Sequence, residues 1–263
     1  MSALQPYVNA EWIKLRTVRS TMYTIVIATV VTIGISAFAC QRLAAELSGG
    51  RAPLTPEGKV GGIDGISRSL IGGAAAQLAI AALGVLVVTS EFATGMIRAS
   101  LAAMPQRKLW ITAKLLVFGV VVLVLGQLLT FSSFGVGQAI LATQHGGASL
   151  GDPHALSTVI ATGLYLTLIG LLGAAFGLII RHTAGALCSV LGAVFVLPVI
   201  GGALPVHTQH FVLRFLPNLI GEQAATAHQL DFHFATWAGI VLMAGYVAGF
   251  IALGTWLLQR RDA

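Results

Sequence analysis

One stretch constrains this chain more than any other: from Ala155 to Ala203 a single residue, Arg181, carries a fixed charge. As one helix that stretch would reach about 73 Å at 1.5 Å per residue. A bilayer's hydrocarbon core is only about 30 Å thick. A charge held at the bilayer centre costs about 2.5–3.5 kcal/mol on insertion scales. Breaking the stretch at Arg181 puts the guanidinium in water and yields two spans, about 156–180 and 183–202.

The remaining apolar runs give spans at about 22–40, 70–90, 110–142 and 235–258. The third run is longer than the bilayer needs. Its first turns are expected to stand in the cytoplasm, with Lys114 snorkelling back to the interface. Only 9% of the residues are charged and 56% are hydrophobic, against roughly 25% charged in a soluble domain. Lipid is therefore the expected outer solvent. The predicted fold is all-α: one polytopic domain over 1–263 with six transmembrane helices.

Charge at the span ends sets the orientation. With the N-terminus inside, ten of the fifteen Lys and Arg residues fall on the inner side and five on the outer. The positive-inside rule then places both termini in the cytoplasm of a bacterial cell, in its inner membrane. The loops 41–69 and 204–234 face outward. The net charge of +6 is spread along the chain, which argues against a nucleic-acid partner. Ala37-Phe38-Ala39-Cys40 imitates a signal-peptide cleavage site, but the long patterned basic segment before it and the spans after it predict that it is not cut. Two cysteines make no disulfide framework.

The spans hold no acid or base in their deep part, which weakens proton relays, intramembrane proteases and metalloenzymes. No GxxxxGK[ST] phosphate loop, HExxH or GxSxG is present, so no catalytic residue and no cofactor are expected on this chain. Neutral polar residues within the spans, Gln77, Gln127, Gln138, Thr162, Tyr165, Ser189 and Tyr246 among them, suit interhelical hydrogen bonds or a substrate path. Gly173-x3-Gly177 and Gly245-x3-Gly249 suit close helix packing, within the chain or between chains. The outer-loop histidines, such as His207 and His210 with Asp231 and His233, are read as solvated rather than metal-binding. The run from Phe211 to Ile220 suits a short interfacial helix.

Two cytoplasmic elements remain. Residues 1–20 pattern as an amphipathic interfacial helix with Trp12 at the membrane surface and Lys14, Arg16 and Arg19 beside headgroup level. Glu11 falls inside its apolar arc. Between spans two and three, Phe92, Met96, Ile97, Leu101 and Met104 recur at near-helical spacing before Pro105. A solvated connector would not need so many apolar residues; a short helix docking on a partner or on the membrane would.

The pattern Glu91-x3-Gly95-x2-Arg98, then Pro105-x-Arg107 and a lysine at the start of the next span, resembles the type-2 permease family of ATP-binding-cassette (ABC) exporters. The opening Glu11-Trp-Ile-Lys14-Leu-Arg16-Thr-Val-Arg19 is similar to its actinobacterial members. The resemblance implies a permease that works as a dimer, with a second copy or a paralogue, and with separate ATPase subunits that hold ATP and magnesium. It implies that residues 1–20 form the connecting helix, and that the segment carrying Glu91, Gly95, Met96, Arg98, Pro105 and Arg107 forms the coupling helix seated on the ATPase. Many relatives carry threonine where this chain has Met96. It also implies that the second and fifth spans face the pathway, bringing Gln77 and Ser189 near an amphipathic or hydrophobic cargo such as a drug, peptide antibiotic or lipid. A non-transporting membrane scaffold or assembly factor is the alternative, and it needs no ATPase.

Overall fold

The computed structural model describes residues 5–17, 19–48, 65–96, 106–143, 147–227 and 233–260, the side chains of 19–21, 107 and 206–207 excepted. Every regular element among them is helical. A short α1 (Gln5–Thr17) precedes α2 (Arg19–Ser48). Next come α3 (Gly65–Leu70) and α4 (Gly73–Ala93), which are nearly continuous, then α5 (Arg107–Ala142) and α6 (Ala155–Ile180). Helices α7 (Thr183–Leu191) and α8 (Leu197–Gly202) flank a π-helical turn. The short α9 (Val206–Leu213) and α10 (Pro217–Ala224) lead to α11 (Thr236–Arg260). Six segments are long and apolar enough to cross a membrane: Met22–Ser48, Gly65–Ala93, Lys108–Ala142, Ala155–Ile180, Thr183–Gly202 and Thr236–Arg260. The chain is a multi-span membrane protein.

Helix α6 is the hub, packing on α4, α5 and α11. From Ser157 to Ile180 none of its residues is exposed. The α4–α6 crossing is close because its residues are small. A Cβ on Gly84 would run into the carbonyl oxygen of Gly170, and one on Gly173 into that of Ala81. Gly173-x3-Gly177 thus works inside the chain. Gly245 and Gly249 do not, because a Cβ at either would meet nothing within 4 Å.

At Arg181 the backbone turns left-handed, with φ of 59°, and α6 stops. His182 then caps α7, its Nδ1 accepting from the Gly185 amide at 3.2 Å. The break expected at this charge is where the chain folds back. Within the fifth segment the helix widens at Gly192–Val196, where the Leu197 amide donates to Gly192 O five residues back. Pro198 follows immediately; it lacks an amide hydrogen and its ring crowds the carbonyl four residues earlier, so a wider turn relieves it.

Two expectations need correction, and a third is sharpened. The first apolar helix continues past residue 40 to Ser48, because Cys40, Leu43 and Ala44 find a partner in Leu141 at the far end of α5. Arg42 does not end it, and its guanidinium lies 5.0 Å from the centre of the Phe38 ring. The run from Phe211 to Ile220 is not one helix but parts of two, since Pro217 opens α10. In α1, Glu11 is buried while Trp12 and Ile13 are exposed. The inward face of this helix is centred on Glu11, the charge that falls inside its apolar arc, with Tyr7 packed beside it on the core.

Candidate functional site

Three elements converge at the end of the bundle where α4 stops and α5 begins. On α4, Glu91 is buried two residues before the helix ends. Gly95 follows with φ of +69°, its amide donating to Phe92 O at 3.3 Å. Glycine takes this left-handed conformation without a Cβ penalty, which makes it the usual residue just past a helix end. On α5, Lys114 lies two turns in and is buried, one turn beyond the fully buried Trp110. Helix α1 packs across α5 and brings in Glu11 and Lys14.

These four side chains form one ion-pair network. Lys114 Nζ donates to Glu11 Oε2 at 2.6 Å and to Glu91 Oε1 at 2.8 Å. Lys14 Nζ donates to Glu91 Oε1 at 2.9 Å and to Glu11 Oε1 at 3.2 Å. Each ammonium therefore touches both carboxylates, and the cluster is formally neutral. Lys114 also lies 5.2 Å from the centre of the Trp110 ring, a favourable place for a cation. The Lys114 side chain is only 3% exposed, so it does not snorkel. A buried ammonium needs opposite charge close by, and two glutamates on other helices supply it.

Lys14 is the network's partly open member. Burial alone would lower its pKa, but the hydrogen bond and charge of Glu91, with the charge of Glu11, outweigh that and raise it above the ordinary lysine value of 10.5. Glu91 Oε2 and Trp110 Nε1 are buried without hydrogen-bond partners. Beside the network lies a groove of about 420 Å³, walled by Leu83, Leu86, Val87, Thr94 and Met96.

A second tie closes the same end. The Arg181 guanidinium sits 5.3 Å from the centre of the Phe92 ring and reaches Leu257 O at 3.4 Å. Thr183 donates to Thr89 at 3.0 Å. The residues around Glu91 are thereby held to the α6–α7 turn and to the end of α11 as well as to α1 and α5.

Of the residues singled out in the sequence, Glu11, Lys14 and Glu91 meet in the network, while Gly95 and Met96 follow it directly. Trp12 and Arg16 on α1 are exposed. Arg19 and Arg107 open α2 and α5. Arg98 and Pro105 lie outside the described residues. Gln77 sits toward the other end of α4, buried, its Oε1 accepting from Tyr165 Oη at 2.7 Å. Ser189 is half-buried on α7 and does not line the cavity that Gln77 lines.

Sequence reasoning missed Lys114 and Trp110 as members of the cluster. The available signal was Glu11 itself, a carboxylate on an apolar face that has to be answered by a cation. His233 Nε2 stands 3.8 Å from Glu222, and no group of three or more metal-ligating side chains occurs among the described residues. No protein-family model and no curated protein matches the chain.

Proposed function

We propose that this chain is the membrane-spanning permease subunit of an ABC exporter, coupling ATP hydrolysis on a separate ATPase subunit to export of an amphipathic or hydrophobic compound. The observation that carries this reading is the Glu11–Lys14–Glu91–Lys114 network. It ties the N-terminal helix to the end of one span and the start of the next, on either side of the segment proposed to dock on the ATPase. A push on that segment would reach α1, α4 and α5 together, as a rigid-body switch requires.

In this reading both termini and the network lie in the cytoplasm of a bacterial cell. Helix α1 rests at the inner-membrane interface, where exposed Trp12 suits the headgroup region. The permease works as a dimer, with a second copy or a paralogue. ATP and magnesium belong to the partner.

The test is co-expression with a candidate ATPase, followed by vanadate-sensitive hydrolysis and transport in proteoliposomes. Alanine at Arg98 should uncouple hydrolysis from transport while the permease remains folded. A cysteine at Met96 should react with an impermeant maleimide in inside-out vesicles but not in intact cells. Labelling only from outside, or failure of any ATPase to co-purify, would leave the scaffold reading in its place.

A further inference from the structure

At the end of α4 opposite the charge network, a cavity of about 440 Å³ opens between α3, α4, α6 and α10. That volume falls in the range of about 300–1,000 Å³ typical of small-molecule sites. Its floor exists because of a glycine: a Cβ on Gly221 would run into the Tyr165 ring, so only glycine lets α10 seat there.

Residues that line this space carry polar atoms without protein partners. Arg68 forms no ion pair among the described residues, and its Nε is shut off from solvent without an acceptor. Ser67 Oγ is likewise buried and unpaired. Gln77 lines the cavity and is only 4% exposed; its carbonyl oxygen is taken by Tyr165, and its amide has hydrogens to donate. Apolar walls come from Leu70, Ile71 and Leu166. The rim joins an exposed apolar side chain, Ile71, to a solvated carboxylate, Glu222, whose side chain is 59% exposed. Such a rim belongs where lipid meets water.

Buried donors with no acceptor cost free energy until something accepts from them. A cationic donor above an apolar wall selects an acidic head with a hydrocarbon body. We propose that this cavity binds an anionic amphiphile, its acidic group on Arg68 and Ser67, a further acceptor on the Gln77 amide, and its apolar portion along Leu70, Ile71 and Leu166. Binding here needs no partner chain, so the purified polypeptide suffices and the outcome stands apart from that of the transport assay.

The probe is 11-(dansylamino)undecanoic acid, whose emission brightens in an apolar site, titrated into the full chain in nanodiscs. A dansyl amphiphile of equal length with an ammonium head serves as its counterpart. The wild type should bind the acid at least about tenfold more tightly than the ammonium compound, as a hydrogen bond to a charged group warrants. Arg68→Gln should lose that preference, and Arg68→Lys should keep most of it. Equal affinity for the two heads on the wild type would overturn the assignment even if Arg68→Gln failed to fold. An unchanged preference in a folded Arg68→Gln would do the same. Nanodiscs with and without phosphatidylglycerol separate the two natural sources: competition by the anionic lipid identifies a membrane headgroup, and its absence identifies a free amphiphile. Either result accompanies a retained requirement for Arg68.

Discussion

Lys114 illustrates how one side chain organises its surroundings. Its ammonium is enclosed by Glu11 and Glu91 from two other helices, and removing either side leaves a charge in a dry place. Breaking a buried pair typically costs about 3–5 kcal/mol. Lys114→Met should therefore lower the melting temperature in detergent sharply, measured by a thiol-reactive dye or static light scattering. Adding Glu11→Gln to Lys114→Met should recover part of the loss, because the one excess negative charge is gone while Lys14 keeps Glu91 as its partner. Lys14, a third exposed, should matter less, near the ~1 kcal/mol of open ion pairs.

The pH dependence follows from the sign of the Lys14 shift. Its folded pKa is raised above 10.5, so its contribution is complete below 10.5 and disappears as pH climbs through the folded value. The stability difference between wild type and Lys14→Met should be constant between neutral pH and 10.5 and should close above that as the folded value is passed. Glu11 was legible because it falls inside an apolar arc, Glu91 because it follows the end of an apolar run, and both, with Lys14, because they stand in the two segments that carry the family resemblance. Lys114 was not: a lysine near a helix start reads as a snorkelling anchor, and nothing local distinguishes that from a lysine turned inward toward residues 23 and 103 positions away.

Among elements, the α4–α6 crossing depends on missing side chains. Gly84→Ala forces a methyl group against Gly170 O, and overpacking of this kind costs about 1–3 kcal/mol. Gly249→Ala, with open space around it, should stay within about 0.5 kcal/mol. Comparative thermal unfolding of the two variants checks the pair. The number and order of spans could be read from length and charge, because hydrocarbon thickness leaves few options. Which glycine pair is used internally could not, since both follow the same spacing and only the neighbouring helix differs. The overrun of α2 to Ser48 was equally hidden, because its support comes from Leu141 on another helix. The π-helical turn before Pro198 is a local departure that a proline within an apolar run could have signalled. Pro198→Ala should let α7 and α8 join as one regular helix, visible as slower amide hydrogen exchange around residues 192–198.

At the scale of the molecule, the two ends of α4 carry different chemistry. One is neutralised and closed by ion pairs; the other holds unpaired donors around an open cavity. Sequence alone gives the apolar body between them, because lipid dictates it, but the two ends arise from contacts among distant segments.

The enclosure of α6 from Ser157 to Ile180 has a consequence for how the protein meets its bilayer. A helix sheathed by its own neighbours presents almost no flank to acyl chains, so adjustment to membrane thickness, by tilt or by local bilayer deformation, devolves on the outer helices. Met22 to Phe38 on α2 and Trp237 to Trp256 on α11 carry much of the exposed apolar surface. Reconstitution in lipids of shorter or longer chains should reorient those two helices, as seen by site-directed spin labels, while the central post keeps its angle.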